Sequence, residues 1–297
     1  MTRPLILVTG AAGLVGFELA HLLNVHGDVV AVDRARLDLR DPGAIAREVR
    51  ALRPAVIVNA AAYTAVDAAE SDEDAARAVN ATAPGVLAEE AKRVGAVLVH
   101  YSTDYVFDGT AAEPYDEDAP TNPQSAYGRT KLGGELAVAA AGGDALVFRT
   151  SWVYGLRGRN FLLTIRRLAA ERDELRIVAD QVGVPNWCRA LAEATAAVIG
   201  QGIDRMRERR GLYHLSSTGP TTWYAFARAI VGDAPRPRIV PITTDLYPTP
   251  AKRPRYSVLA TAKFERTFGF AMLPWRANFE RCLATGGSPV PGDGRTA

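Results

Sequence analysis

The stretch Leu5-Ile6-Leu7-Val8-Thr9-Gly10-Ala11-Ala12-Gly13-Leu14-Val15-Gly16 decides the fold. Its first five residues read as a buried strand. Glycines at 10, 13 and 16 then lead into a helix over residues 14–26, with Leu19, Leu22 and Leu23 on one face. Glycines let a backbone turn tightly and approach a pyrophosphate, whose charge suits a helix N-terminus. A Gly/Ala turn means little in an Ala-rich chain; the strand–turn–helix setting gives the spacing its force. A second strand over 29–33 ends on Asp33, about where an acidic residue would bond a ribose hydroxyl. Gly10, Gly13, Leu14, Val15, Gly16 and Asp33 are therefore cofactor candidates. Asp33 favours the free 2′-hydroxyl of NAD, whereas Arg34 and Arg36 suit the 2′-phosphate of NADP, and the loop leaves both open. Asp38 and Leu39 lie just beyond, placed to meet an adenine.

Outward from this turn, strands and helices alternate. Asp41-Pro42 opens a helix as cap and first residue. Residues 55–59 form an apolar third strand, 71–94 contain a long helix, and 97–102 form a fourth strand. Residues 125–141 are helical and 146–150 make a fifth strand. The alternation predicts a Rossmann-type, doubly wound parallel α/β sheet covered on both faces. Beyond residue 152 the rhythm weakens: helices are expected over 161–171 and 189–199 and a strand over 211–215. The proline-dense stretch 235–254 is expected to be loops lining a site. We expect a dinucleotide-binding domain over 1–155, to which segments near 187–217 return. Residues 156–284 would be a smaller, mainly substrate-binding domain, and 285–297 a flexible tail.

Two residues carry the chemistry. Tyr127 and Lys131 sit four apart at the start of a predicted helix, on one face. A neighbouring ammonium favours a phenolate, so the spacing predicts a lowered tyrosine pKa and a general acid for carbonyl reduction. Lys131 can also bond a nicotinamide ribose. Ser102 and Thr103 end the fourth strand, at the edge where open α/β sheets bind ligands. Thr103 is the better candidate to bond a carbonyl oxygen, because Ser102 points to the opposite face. Trp152, after the fifth strand, is placed to stack on a sugar or base.

Bulk properties exclude other classes. A net charge of +2 across 297 residues, with no dense Lys/Arg run, argues against nucleic acid. No stretch is long and apolar enough to span a bilayer. Cys188 and Cys282 lack metal-like spacing and read as buried free thiols in a reducing cytoplasm. His21, His26, His100 and His214 form no metal pattern and read as surface or core residues.

Six segments together resemble the dTDP-4-dehydrorhamnose reductase family: Asn59-Ala60-Ala61-Ala62-Tyr63-Thr64-Ala65-Val66-Asp67, Ser102-Thr103-Asp104-Tyr105-Val106-Phe107, Tyr127-Gly128-Arg129-Thr130-Lys131, Arg149-Thr150-Ser151-Trp152-Val153-Tyr154, Asp180-Gln181-Val182-Gly183-Val184-Pro185 and Tyr247-Pro248-Thr249-Pro250-Ala251-Lys252-Arg253-Pro254. The resemblance runs from the first strand to about Trp275. It implies an extended short-chain dehydrogenase fold that takes NADPH or NADH and reduces a dTDP-sugar ketone. The cofactor would meet Gly13, Leu14, Val15, Asp33, Asp38, Leu39, Ala62, Tyr63, Thr64, Tyr101, Tyr127 and Lys131. Thr103, Asp104 and Trp152 would hold the sugar, with Tyr127 as proton donor. Arg253 is our candidate for the substrate diphosphate, since Arg bonds phosphate bidentately. Some members hold Mg²⁺ at a dimer interface through carboxylates, one corresponding to Glu18. Here Arg189 stands where a ligand glutamate is expected, so we expect no metal and favour a monomer; a metal-free Glu18–Arg189 pairing across a dimer is the alternative. Rival readings are another nucleotide-sugar ketoreductase or epimerase, which would lack the 247–254 segment, and a non-catalytic subunit resembling the regulatory subunit of methionine adenosyltransferase.

Overall fold

The computed structural model describes residues 3–233 and 235–286. Strand β1 (Leu5–Thr9) leads to α1 (Leu14–Leu22), β2 (Asp28–Val32), α2 (Pro42–Leu52) and β3 (Val56–Asn59). Helices α3 (Glu73–Arg77) and α4 (Ala83–Val94), strand β4 (Val97–Thr103), helix α5 (Ala126–Ala141) and strand β5 (Ala145–Thr150) complete the alternating half. The rest comprises β6 (Val153–Tyr154), α6 (Phe161–Glu171), β7 (Glu174–Val178), β8 (Val182–Gly183), β9 (Asn186–Trp187), α7 (Cys188–Gly200), α8 (Ile203–Glu208), β10 (Gly211–His214), β11 (Thr221–Thr222), α9 (Trp223–Val231), β12 (Arg238–Ile242), α10 (Ala262–Phe268) and α11 (Trp275–Thr285).

The central sheet has six strands in the order β2-β1-β3-β4-β5-β10, every neighbour parallel. Alternate residues of β1 feed two cores. Ile6 and Val8 join one with Leu19, Leu23 and the apolar face of α7, while Leu7 joins another with Ile45, Val49, Leu87 and Val138. Burial on both faces explains why these strands read as unbroken apolar runs. The strand order reverses between β1 and β3, the switch point where such sheets hold ligands.

Several expectations need correction. The first helix ends at Leu22 and finishes in a 3₁₀ turn, Leu23–Val25. The long helix expected over 71–94 is broken into α3, a π-helical turn at Ala78–Thr82, and α4. Pro84 is the cause: it has no N–H for the Asn80 carbonyl four residues back. Gly134 of α5 packs into that space, since a Cβ there would sit 2.1 Å from the Asn80 oxygen. The 235–254 stretch is not all loop, because β12 pairs with β7 over five residues. Both strands are short and carry charged residues, so their periodicity is weak. The tail expected beyond residue 285 lies, from 287 on, outside the described residues. No helix among the described residues is long and apolar enough to cross a membrane.

Candidate active site

A cavity of about 1090 Å³ opens along the carboxyl ends of β1, β3, β4 and β5. Its floor is the glycine turn. Gly10 has φ +74°, and a Cβ there would come within 2.6 Å of the Ala61 amide. A Cβ on Gly16 would lie 2.2 Å from the Gly10 carbonyl. Only glycine lets turn, helix and β3 loop meet so closely. Gly13 caps α1 without a side-chain hydrogen bond among the described residues, so the first N–H groups of the helix are left for an anion. Gly10, Gly13, Leu14 and Val15 line the cavity; Gly16 supports it from beneath. The residues present thus fit a dinucleotide pyrophosphate.

At one end lie Asp33, Arg34, Asp38 and Leu39. One Asp33 oxygen accepts the N–H groups of Ala35 and Arg36 at 3.0 and 3.2 Å. Arg36 turns away to Glu48 at 3.2 Å. Arg40, which sequence reading missed, lines the cavity and grips Asp38 at 2.6 Å, holding that carboxyl down at about 2. Exposed Arg34 leans on the same carboxylate at 3.7 Å. Ala62, Tyr63 and Thr64 form the next wall. The Tyr63 backbone is fixed by Asn80, whose side chain accepts from its N–H at 2.8 Å and donates to its carbonyl at 3.1 Å.

The other end gathers Thr103, Asp104, Tyr127 and Lys131. The pleat sends Ser102 to the Glu135 carboxylate and leaves Thr103 at the cavity. Thr103 Oγ1 donates to Asp104 Oδ1 at 3.0 Å and accepts from the Tyr105 N–H at 3.2 Å. Asp104 is buried, and its Oδ2 has no hydrogen-bond partner among the described residues. Burial raises its carboxyl to about 6. Ser125 caps α5 by accepting from the Gly128 N–H at 3.2 Å, which presents Tyr127 on the first turn. Lys131 is buried, donates to the Tyr101 carbonyl at 2.5 Å, and is lowered by desolvation to about 8. The Tyr101 hydroxyl instead pairs with Thr195 at 2.5 Å.

The expected lowering of Tyr127 is absent. Enclosure raises the phenol to about 12, opposed by the Thr103 hydroxyl and reinforced by Asp104. Lys131 donates to the Tyr101 carbonyl and makes no hydrogen bond to the phenol among the described residues, so desolvation wins. Tyr127 is therefore protonated at neutral pH, the state a proton donor requires.

Trp152 forms the far wall with a backbone φ of +43°, rare for a bulky side chain. Its ring stacks on Trp223 at 3.5 Å and 8°. Trp223, Arg157 and Arg159 also line the cavity and were not read from the sequence. Arg157 lies over the Phe17 ring at 3.4 Å, and its buried Nη1 has no partner among the described residues. Arg253 stands to one side, its fork on Asp67 at 3.1 and 2.8 Å. Arg189 pairs with Glu193 at 3.2 Å within the chain. Among the described residues no group of three or more His, Cys, Asp or Glu is gathered to hold a metal.

This arrangement defines a dinucleotide-dependent oxidoreductase of the short-chain dehydrogenase type. A family model described as "RmlD substrate binding domain" matches residues 3–287, and the chain belongs to that family. A dTDP-4-dehydrorhamnose reductase of Burkholderia thailandensis is 53% identical over 293 residues, covering 94% of this chain and 97% of that one. Among solved structures, a dTDP-4-dehydrorhamnose reductase of Clostridium acetobutylicum superposes with a TM-score of 0.89 at 38% identity, covering 96% of this chain and all (100%) of the other. The Bacillus anthracis enzyme of that name, in complex with NADP, gives a TM-score of 0.88 at 34% identity, with 96% and 100% covered.

Proposed function

We propose that the protein reduces the C4 ketone of dTDP-4-dehydro-L-rhamnose to dTDP-L-rhamnose, using NADPH or NADH. The observation that carries this reading is one cavity that joins the glycine turn to the Thr103–Tyr127–Lys131 cluster. Gly10, Gly13, Leu14 and Val15 hold the pyrophosphate, Asp33, Arg34, Asp38 and Leu39 the adenosine, and Ala62, Tyr63, Thr64 and Tyr101 the path to the nicotinamide. When bound, the nicotinamide supplies the hydride. Tyr127 gives its phenolic proton to the developing alkoxide while Thr103 Oγ1 turns its proton from Asp104 Oδ1 to the same oxygen. Lys131 holds the ribose and offers a positive charge to the tyrosinate that remains. Asp104 and the Trp152 face orient the sugar. Arg253 reaches the substrate diphosphate by exchanging Asp67 for it.

The cofactor half is residues 1–155 with 187–217 returning to it, and the sugar-nucleotide half is 156–284. The protein acts as a cytoplasmic monomer without a structural metal, consistent with Arg189 being engaged by Glu193. Sedimentation with and without EDTA tests this: a species unchanged by chelation at the mass of one chain supports it, and a dimer that EDTA dissociates refutes it. For the activity, reduced cofactor should be consumed in step with dTDP-L-rhamnose formation; a C4 or C5 epimer formed without net oxidation would favour the epimerase reading.

A further inference from the structure

His100 is absorbed by none of the roles above, yet it sits at the centre of a buried polar chain behind the active site. Thr9, at the end of β1, donates from Oγ1 to Asn59 Oδ1 at 2.7 Å. Asn59 Nδ2 lies 3.1 Å from His100 Nδ1, and His100 Nε2 lies 3.5 Å from Lys131 Nζ. All four side chains are at most 2% exposed.

The proton positions along this chain follow from one backbone group. The Ala61 N–H, which can only donate, meets Asn59 Oδ1 at 3.2 Å. That contact fixes the amide orientation, so Nδ2 is the atom facing His100 and it donates. His100 Nδ1 must then accept. Burial and the charge of Lys131 hold the ring neutral, with its pKa well below the usual histidine value. A neutral imidazole that accepts at Nδ1 carries its proton on Nε2, aimed at Lys131.

We propose that His100 is a positioning residue for Lys131: locked by Asn59 in the Nε2–H tautomer, it sets a proton against the lysine ammonium and keeps that lysine poised to release its own. The 3.5 Å contact is long for a hydrogen bond, and it becomes a good one only when Nζ offers a lone pair. The other groups facing Lys131 are the Tyr101 carbonyl on β4, and Tyr127 and Glu135 on α5 itself. Glu135 opposes the shift, but Ser102 and the buried Arg149 already occupy its oxygens. The chain is not a proton wire, since the Asn59 amide cannot pass a proton on. Its effect is to set the charge and place of Lys131.

The inference rests on Lys131 being the cation beside Tyr127, but its test reads the protein directly. Nitrogen-15 NMR of the full-length protein should show His100 as the Nε2–H tautomer at neutral pH; an Nδ1–H signal would overturn the proposal whatever the substrate proves to be. Titration of Lys131 Nζ by NMR gives the second reading. His100→Asn keeps an acceptor for Asn59 but removes the Nε2–H, and Asn59→Asp draws the imidazole proton to Nδ1. Each should move the Lys131 titration alkaline by about one unit or more. The alkaline limb of cofactor binding should move with it. A titration unmoved in both folded variants would contradict the proposal, and if neither variant folds the wild-type tautomer decides alone.

Discussion

Tyr127 is an enclosed phenol, pushed up to about 12 by its burial and so protonated at neutral pH. Tyr127–Lys131 spacing was legible in the sequence because both lie one helical turn apart. What the sequence could not show is that Lys131 turns to the Tyr101 carbonyl, which leaves burial to set the phenol. A buried phenol is a donor waiting for an alkoxide, so Tyr127→Phe should lower turnover by about 10²–10⁴-fold. Cofactor affinity, read by fluorescence titration, should change little; turnover within twofold of wild type would remove Tyr127 from the mechanism. Arg40 is the second case. Sequence position favoured Arg34 and Arg36, but the turn that Asp33 ties down sends Arg36 to Glu48 and brings Arg40 to the cavity. Arg40→Ala and Arg34→Ala should each weaken NADPH more than NADH, measured as separate dissociation constants. Equal losses for both cofactors would show that neither arginine reads the 2′-phosphate.

Among the elements, β4 and α5 carry the proposed catalytic groups, and a buried bidentate pair clamps α5 to β5. Arg149 of β5 meets Glu135 of α5 at 2.9 and 2.7 Å. Removing one partner of such a pair leaves an uncompensated buried charge, so Glu135→Ala should cost about 3–5 kcal/mol in chemical denaturation. A loss under 1 kcal/mol would mean the clamp is dispensable. The elements of the alternating half were legible because both faces of the inner parallel strands are buried and the runs stay apolar. The break before α4 was half visible in Pro84; β7 and β12 were not, being short strands with charged residues among them. Trp223 and Arg157 escaped because residues far apart in the chain meet only across the folded cavity, and periodicity carries no such information. His100 was read only as a surface or core residue for the same reason.

Across the whole molecule, the site works against stability. Burial raises the Asp104 carboxyl to about 6, above the ordinary aspartate value of about 3.9. Between those values the folded state binds the extra proton, so this group's contribution falls as pH rises through the window and stays unfavourable at pH 7. Asp104→Asn should therefore stabilise the apoprotein at pH 7, by an amount on the order of 3 kcal/mol, and by little near pH 4. Thermal melts at the two pH values test it; equal melting temperatures at pH 7 would refute it. Lys131 runs the other way. Desolvation lowers it to about 8, below the ordinary lysine value of about 10.4, so its contribution rises as pH climbs through that interval. Turnover that needs the Lys131 ammonium should decline above about pH 8.

The central claim, that one cavity brings a nicotinamide dinucleotide to a sugar ketone beside Tyr127, is tested most directly by a single assay. Purified protein is mixed with dTDP-4-dehydro-L-rhamnose and NADPH or NADH, and both cofactor and nucleotide-sugar product are followed. The account predicts one reduced cofactor consumed for each dTDP-L-rhamnose formed, with Tyr127→Phe nearly silent in the same assay. Cofactor that binds but is not oxidised in the presence of this sugar would contradict it.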